Sequence, residues 1–425
     1  MDSDGKMDRR TFIRTTAGVA AGAAAWRLSD SRVLGANDRL RVGIIGAGIR
    51  GFYLLNQALR FDDIDMVAVG DTYTGWVKRA MDKIKPKYAD VKGYPTYRQL
   101  LDAKDIDAVI VATPEHSHHV IVIDAIKSGR DVYCEKPMVH HWQEALKVVN
   151  ANAQAKRIIQ VGTQRRSNDL YMTARDIVQS GGIGEVYAVR AWWDRNSDSE
   201  HPQWRYPIPE DASEKTCNWP EFLCRAPKRP FSKERYFQWR CYWDYSGGIA
   251  GDLMVHQVDA INMVMGSHRP VTGLGHGRIF RWNKRDRETP DVWNAVIEYP
   301  AGSSKAAPTG FMIGYASTFS NSYNDYGEQF LGTDGTIVMN DRKMSVYAEP
   351  EQVRSRAVEE RTLDRNGNDV SAHLRDFFDA CKSRHPAHCT ERDGADACIA
   401  SSLTVLSHLK GKRMEWDGQR VKGEG

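Results

Sequence analysis

Arg41-Val42-Gly43-Ile44-Ile45-Gly46-Ala47-Gly48-Ile49-Arg50-Gly51 decides the fold, because it sets a short β-branched run against a glycine turn that opens a helical pattern. It reads as strand, phosphate-binding turn and helix. Gly46 permits the tight turn, Gly48 removes the side chain that would hold a pyrophosphate off the backbone, and Gly51 lets the following helix pack closely on the strand. Free N–H groups and the dipole at that helix start favour an anion beside Ile49 and Arg50. The same glycine spacing also occurs in plain surface turns. What raises it here is a second apolar run, Met66-Val67-Ala68-Val69-Gly70, ending in Asp71, 20 residues beyond Gly51. An acid at that distance takes the adenosine ribose hydroxyls, and with no adjacent arginine it favours NAD over NADP.

Outward from this unit, strand candidates at Ala108–Ala112, Val132–Cys134 and Ile158–Val161 alternate with helical patterns at 74–84, 118–128 and 143–155. Alternation of this kind, with strands apolar on both faces, predicts an α/β, doubly wound parallel sheet over residues 37–162. Ligands bind beyond the carboxyl ends of such strands. Thr113-Pro114-Glu115-His116 and Glu135-Lys136-Pro137 follow two of those ends, which nominates Thr113, Pro114, His116, Glu135 and Lys136. A lysine held there beside a nicotinamide can polarise a carbonyl or stabilise an alkoxide. His116, His118 and His119, with His140 and His141, invite a metal. No acidic partner or C-x-x-C pair completes a tetrahedral set, so no metal is assigned, and His116 and His119 are read as lining a cofactor site.

Beyond Gly162 the pattern changes. Residues 190–245 are rich in Trp, Tyr, Pro and Arg without a clear period and predict extended loops. Trp192, Trp193, Trp204, Trp219, Trp239 and Trp243 suit core, subunit interface or sugar-stacking platforms equally. Six runs between 273 and 348 then recur at strand spacing and predict a large, open, mostly antiparallel sheet, followed by helices at 372–383 and 395–410 that return to the first domain. Residues 163–425 are therefore expected to form a C-terminal α/β domain for substrate and oligomer contacts. Within it, a helix from near Ile249 would place Asp252, His256 and Asp259 on one stripe by i, i+4, i+7 spacing. Residues 249–265 hold no Lys, Arg or Glu, unlike a solvated face, so the stripe is expected to look into a pocket where a carboxylate orients an imidazole.

At 425 residues, 41% hydrophobic and 27% charged, the chain suits two ordinary globular domains. Residues 1–36 hold six of its 59 basic and four of its 55 acidic side chains, so the remainder carries +2. That balance argues against a nucleic-acid footprint. Seven cysteines, none in C-x-x-C, signal neither zinc nor a dense disulfide framework. Asp8-Arg9-Arg10-Thr11-Phe12-Ile13-Arg14 followed by the alanine-rich 17–25 has the form of a twin-arginine export signal, too short and alanine-rich to span a bilayer. The expected destination is the periplasm or beyond.

Taken together, the glycine turn, Thr113-Pro114-Glu115-His116-Ser117-His118, Glu135-Lys136-Pro137, Gly162-Thr163-Gln164-Arg165-Arg166, Ser246-Gly247-Gly248 and Asp252-x-x-x-His256 resemble the glucose–fructose oxidoreductase, inositol dehydrogenase and rhizopine-catabolism oxidoreductase family. With its leader, the chain looks like that family's exported, twin-arginine members. The resemblance implies a Rossmann domain, a C-terminal open-sheet domain that mediates a dimer or tetramer, tightly bound NAD, and hydride transfer on a sugar or cyclitol hydroxyl. It makes Lys136, Asp252 and His256 catalytic. Gln164, Trp239 and Arg240 are carried to the cofactor side, and Arg165 and Tyr245 join Asp252 and His256 on the substrate side. Two rival activities share these residues. One is an NAD-dependent glycosidase or lyase working through a transient keto-sugar, although the Tyr-Pro-Thr-His-Gly segment typical of such relatives is not found. The other is a non-enzymatic dinucleotide-binding regulator, against which the intact Lys136, Asp252 and His256 argue.

Overall fold

A computed structural model describes residues 39–198, 200–282, 287–349, 357–363 and 369–423; the expected export segment, residues 1–36, lies outside them. Strands β1 (Leu40–Ile45), β2 (Ile64–Gly70), β3 (Lys92–Tyr94), β4 (Ala108–Val111), β5 (Asp131–Cys134) and β6 (Ile159–Val161) form a parallel sheet in the order β3-β2-β1-β4-β5-β6. Order reverses between β1 and β4, which makes their carboxyl ends the crevice of a dinucleotide fold. β4 and β5 are buried throughout, as strands covered by helices on both faces must be. The cover comes from α1 (Ile49–Ala58), α2 (Thr74–Ile84), α3 (Tyr97–Asp102), α4 (Glu115–Lys127) and α5 (Trp142–Ala155). At the glycine turn, Gly46 sits at φ +88°, and a Cβ on Gly51 would come within 1.8 Å of the Gly46 carbonyl oxygen. Any larger residue at 51 would push α1 off the strand.

The remaining elements are α6 (Asp169–Gln179), β7 (Val186–Trp193), α7 (Trp219–Leu223), α8 (Lys233–Phe237), α9 (Val255–Met265), β8 (Thr272–Arg278), β9 (Val292–Tyr299), β10 (Phe311–Thr318), β11 (Tyr326–Gly332), β12 (Gly335–Met339), β13 (Lys343–Ala348), β14 (Glu359–Thr362), α10 (Asp369–Ser383), α11 (Glu391–Lys410), β15 (Met414–Trp416) and β16 (Val421–Lys422). Their strands form one ten-stranded sheet, β14-β13-β12-β11-β7-β10-β9-β8-β15-β16, antiparallel except where β7 meets β10. On β9 the alternation is strict: Trp293, Ala295, Ile297 and Tyr299 are buried while Asn294, Val296 and Glu298 are exposed. The inner face packs on α9 and the outer face meets solvent. Among the described residues no helix is long and apolar enough to cross a membrane.

Two features differ from the expectation of loops over 190–245. β7 begins in the preceding segment and runs to Trp193, its partners β10 and β11 lying more than a hundred residues away. α7 and α8 are five residues each, too short to show a helical period. The return of the C-terminus is direct: Val370, Leu374, Phe377 and Phe378 of α10 share a core with Ile44, Leu54 and Ala58 of the first domain. All seven cysteines are free thiols, and six of them are buried.

Candidate active site

A cavity of about 370 Å³ runs along the carboxyl ends of the first sheet. Gly46, Gly48, Ile49 and Arg50 line one end, with Asp71 and Thr72; Thr113 and Pro114 line the middle; Glu135, Lys136, Trp239 and Arg240 line the other end. The aromatic segment supplies its roof, through Tyr206, Phe222, Tyr236, Phe237 and Trp239. At Gly48 an added Cβ would meet nothing nearer than the Trp76 indole nitrogen at 3.8 Å. The main chain there is bare toward the cavity, at the N-terminus of α1, which suits a pyrophosphate.

Asp71 caps this end. Its two oxygens each accept one main-chain N–H, from Ala47 at 2.7 Å and Tyr73 at 2.8 Å, leaving further lone pairs for ribose hydroxyls. Burial raises its pKa to about 6, against the pull of those N–H groups and of Arg79. Arg79 is a residue the sequence reading missed. It stacks on Phe52 and Trp76, with its guanidinium carbon 4.2 and 4.1 Å from their ring centres, and donates to the Ala47 and Gly48 carbonyls. It lies eight positions past Asp71, beyond any search for an adjacent arginine, yet two turns of α2 bring it back to the glycine loop.

At the other end Lys136 Nζ donates to the Asp252 carbonyl (2.6 Å) and to Asp252 Oδ1 (2.8 Å), and Arg240 Nε donates to the same Oδ1 at 2.9 Å. Lys136 and Arg240, with the charge of Arg195, hold the Asp252 carboxyl well below the usual carboxylate range despite its burial. His256 is buried close by, its ring 5.7 Å from that of Trp193 and its Nδ1 without a hydrogen-bond partner. Burial, then the charges of Lys136 and Arg165, push the imidazole well below its ordinary pKa. It is a neutral base at pH 7, with an unused nitrogen.

The expected orientation of His256 by Asp252 is not what the structure shows. Residues Ala250–Met254 form a π-helical turn, and α9 begins only at Val255. The extra residue in that turn breaks the i, i+4 stacking of a regular helix, and the Asp252 carboxylate reaches Lys136 and Arg240 instead. Such turns concentrate at functional sites. Asp259, the third member of the expected stripe, is fully buried on another side, where Arg166 Nε bonds both its oxygens at 3.0 and 2.8 Å. Glu115, part of the strand-end motif but given no role in the sequence reading, ties the two halves together. Its oxygens accept from Ser246 Oγ (2.7 Å) and the Gly247 N–H (2.8 Å), and burial raises it to about 7.

Several other expected residues are engaged elsewhere. His116 bonds the Phe222 carbonyl at 2.7 Å and does not line the cavity; burial lowers it to about 4. His119 is buried with its Nδ1 3.0 Å from Glu144 and without a hydrogen bond there, and burial lowers it to about 4. Tyr245 is wholly buried against His116 and Phe222. Arg165 is buried on Glu328 at 3.1 Å, its guanidinium 4.8 Å from the Trp193 ring centre, close behind the site without lining the cavity. Gln164 is half-buried beside it with Oε1 unpartnered. Glu135 lines the cavity and pairs with Arg50 at 2.7 Å. Gly51 serves packing. Among the described residues no group of three His, Cys, Asp or Glu is placed to hold a metal.

Comparison with known proteins places this geometry. Residues 40–163 match the model of the oxidoreductase family, NAD-binding Rossmann fold, and residues 222–415 match the C-terminal α/β domain of the same Gfo/Idh/MocA family. The chain belongs to this family. Inositol 2-dehydrogenase from Salmonella typhimurium is 32% identical over 153 residues, 35% of this chain and 44% of that protein. A glycosyl hydrolase family 109 protein from Stenotrophomonas maltophilia is 30% identical over 201 residues, 45% of this chain and 43% of its own. The chain thus spans somewhat under half the length of the curated relatives it matches. Among solved structures, a levoglucosan dehydrogenase in complex with NADH and levoglucosan superposes with a TM-score of 0.68 at 18% identity, over 90% of this chain and all of that one. At that identity the likeness speaks to the fold.

Proposed function

We propose that this Gfo/Idh/MocA family member is an NAD-dependent oxidoreductase acting on a secondary hydroxyl of a sugar, glycoside or cyclitol. The observation that carries the reading is the Lys136 ammonium at the far end of a cavity that begins at the bare main chain of Gly48, with the neutral imidazole of His256, its Nδ1 unpartnered, buried near Lys136 and outside the cavity lining. When bound, NAD supplies the hydride acceptor, nicotinamide C4. His256 takes the hydroxyl proton, the carbinol C–H pair leaves as hydride, and the C=O bond forms. Lys136, fixed by Asp252, stabilises the oxygen as it gains negative charge. Asp252 uses Oδ1 for both cations, which leaves Oδ2 for a second substrate hydroxyl. General-base catalysis contributes about 10²–10⁴-fold. His256→Ala and Lys136→Ala should each lose at least that much turnover while binding NAD; full turnover in both would remove the assignment.

The match to a glycosyl hydrolase family 109 protein supports a second reading, in which the same oxidation acidifies a neighbouring C–H, a bond is eliminated and the hydride returns. Products separate the two: a net keto-sugar with NADH, or net cleavage with NAD unchanged. The paired Arg9 and Arg10 before an alanine-rich stretch support export by the twin-arginine route, a path for proteins folded around their cofactor. Tight retention of NAD follows from that reading. Protein purified without added nucleotide and then denatured should release it, and a supernatant lacking nucleotide absorbance would contradict it. Tyr187, Leu274, Val296 and Met312 on the outer sheet face support self-association, to be read by sedimentation.

A further inference from the structure

The charged groups around Asp252 are unevenly matched. Lys136 and Arg240 share one carboxylate oxygen, and a third cation, Arg195, stands nearby, two residues beyond the end of β7. Arg195 is half-buried, with its guanidinium carbon 5.0 Å from the centre of the Trp193 ring, the same ring that packs on His256. It forms no salt bridge with a carboxylate of the described residues, although its charge reaches Asp252. The other acids near the site are already committed. Glu135 pairs with Arg50, Glu328 with Arg165, Asp194 accepts the Thr318 N–H, and Glu115 is held by Ser246 and Gly247. A guanidinium kept over an aromatic ring, half out of water and with no salt bridge of its own, has its donor fork unused, and planar carboxylate recognition is what that geometry serves best.

We infer that the substrate carries a carboxylate, so that the site is built for a sugar acid rather than a neutral sugar, with Arg195 and the cavity-lining Arg240 receiving the carboxylate while the carbinol lies between His256 and Lys136. This rests on the hydride-transfer reading and narrows it. Arg195 and His256 both pack on the Trp193 ring, 5.0 and 5.7 Å from its centre, so the acid group and the oxidised carbon belong to one small molecule. A neutral cyclitol would leave Arg195 unmatched and would have to desolvate it on binding, which works against affinity.

The test compares D-glucuronate, D-galacturonate and D-gluconate with D-glucose, D-galactose and D-glucitol on the NAD-loaded enzyme, by absorbance at 340 nm and product mass. At least one acid should exceed its neutral counterpart about 100-fold in kcat/KM, as expected for a charge-assisted bidentate contact. Arg195→Gln should cut that preference about 10-fold or more, mainly through KM, and Arg195→Lys should restore part of it. Neutral compounds used as well as acids, or a preference that survives Arg195→Gln, overturns the inference while leaving hydride transfer standing. Should none of the six reduce NAD, the hydride-transfer reading loses support, and thermal shifts of the NADH-loaded protein still decide this point. Acids must then raise the melting temperature above their neutral counterparts in an Arg195-dependent way, and equal or absent shifts overturn it.

Discussion

Gly48 and Gly51 stand three residues apart in one turn, yet the structure gives them different duties, and a single methyl group separates these. At Gly48 a Cβ meets nothing nearer than 3.8 Å, so Gly48→Ala should fold with its stability changed by less than about 0.5 kcal/mol. The methyl points where the pyrophosphate would lie against the main chain. At Gly51 a Cβ would stand 1.8 Å from the Gly46 carbonyl oxygen, and relief requires α1 to move, at a cost of about 3 kcal/mol or more. The assay is denaturant unfolding of nucleotide-stripped protein, without NAD and with NAD at 100 times the wild-type Kd. Wild type should gain about 2.7 kcal/mol from the ligand. A tenfold loss of affinity in Gly48→Ala reduces the gain to about 1.4 kcal/mol, and a hundredfold loss to about 0.4 kcal/mol. Gly51→Ala should instead lose stability before any ligand is added. If Gly48→Ala kept the full 2.7 kcal/mol gain, the diphosphate would not lie on this turn, and the cofactor orientation along the cavity would be wrong.

Three other outcomes follow from the buried charges. Glu115, raised to about 7 in the fold against an ordinary 4.5, binds a proton more tightly folded than unfolded, so its contribution is present below pH 4.5 and lost as pH rises through 7. Glu115→Gln should therefore gain on wild type by about 2 to 3 kcal/mol between pH 4.5 and 8, measured by unfolding at each pH. Lys136 is one of the charges holding His256 down, so Lys136→Met should move the imidazole titration upward toward 6.5, read by NMR of labelled histidine. Asp259→Ala leaves Arg166 with Asp393 at 3.2 Å as its remaining carboxylate and should cost about 1 to 3 kcal/mol while kcat in the surviving folded fraction stays near wild type. A collapse of kcat in folded Asp259→Ala would return that acid to the reacting centre.

What could be read in advance was local. The β1 turn carries its geometry in three glycines and an acid at fixed offsets, and Lys136 is placed by the strand it follows. Asp252 and His256 stood out because their segment lacks the charges of a wet helix. What could not be read depends on distant partners. The π-helical turn is not encoded in the period of residues 249–265, and it forms where Lys136 and Arg240, from two other parts of the chain, draw Asp252 aside. Arg79 and Glu115 resemble ordinary helix-surface and first-turn residues until folding brings them to Gly48 and Gly247. His116 lies beside the cavity residue Ser117 in sequence and Tyr245 five positions past Arg240, and closeness of that kind says nothing about which way a side chain turns.

Phe377 and Phe378 complete a core that begins at Val42 and Leu54. Synthesis must therefore run through α10 before the nucleotide-holding sheet is closed on that side, although its strands are among the earliest segments made. The order of assembly is inverted relative to the order of translation: a sheet made before strands β7 to β14 is finished only after them. Capture of the dinucleotide would then certify a polypeptide made through α10, and products truncated before it would be left with an open apolar flank for quality control to find.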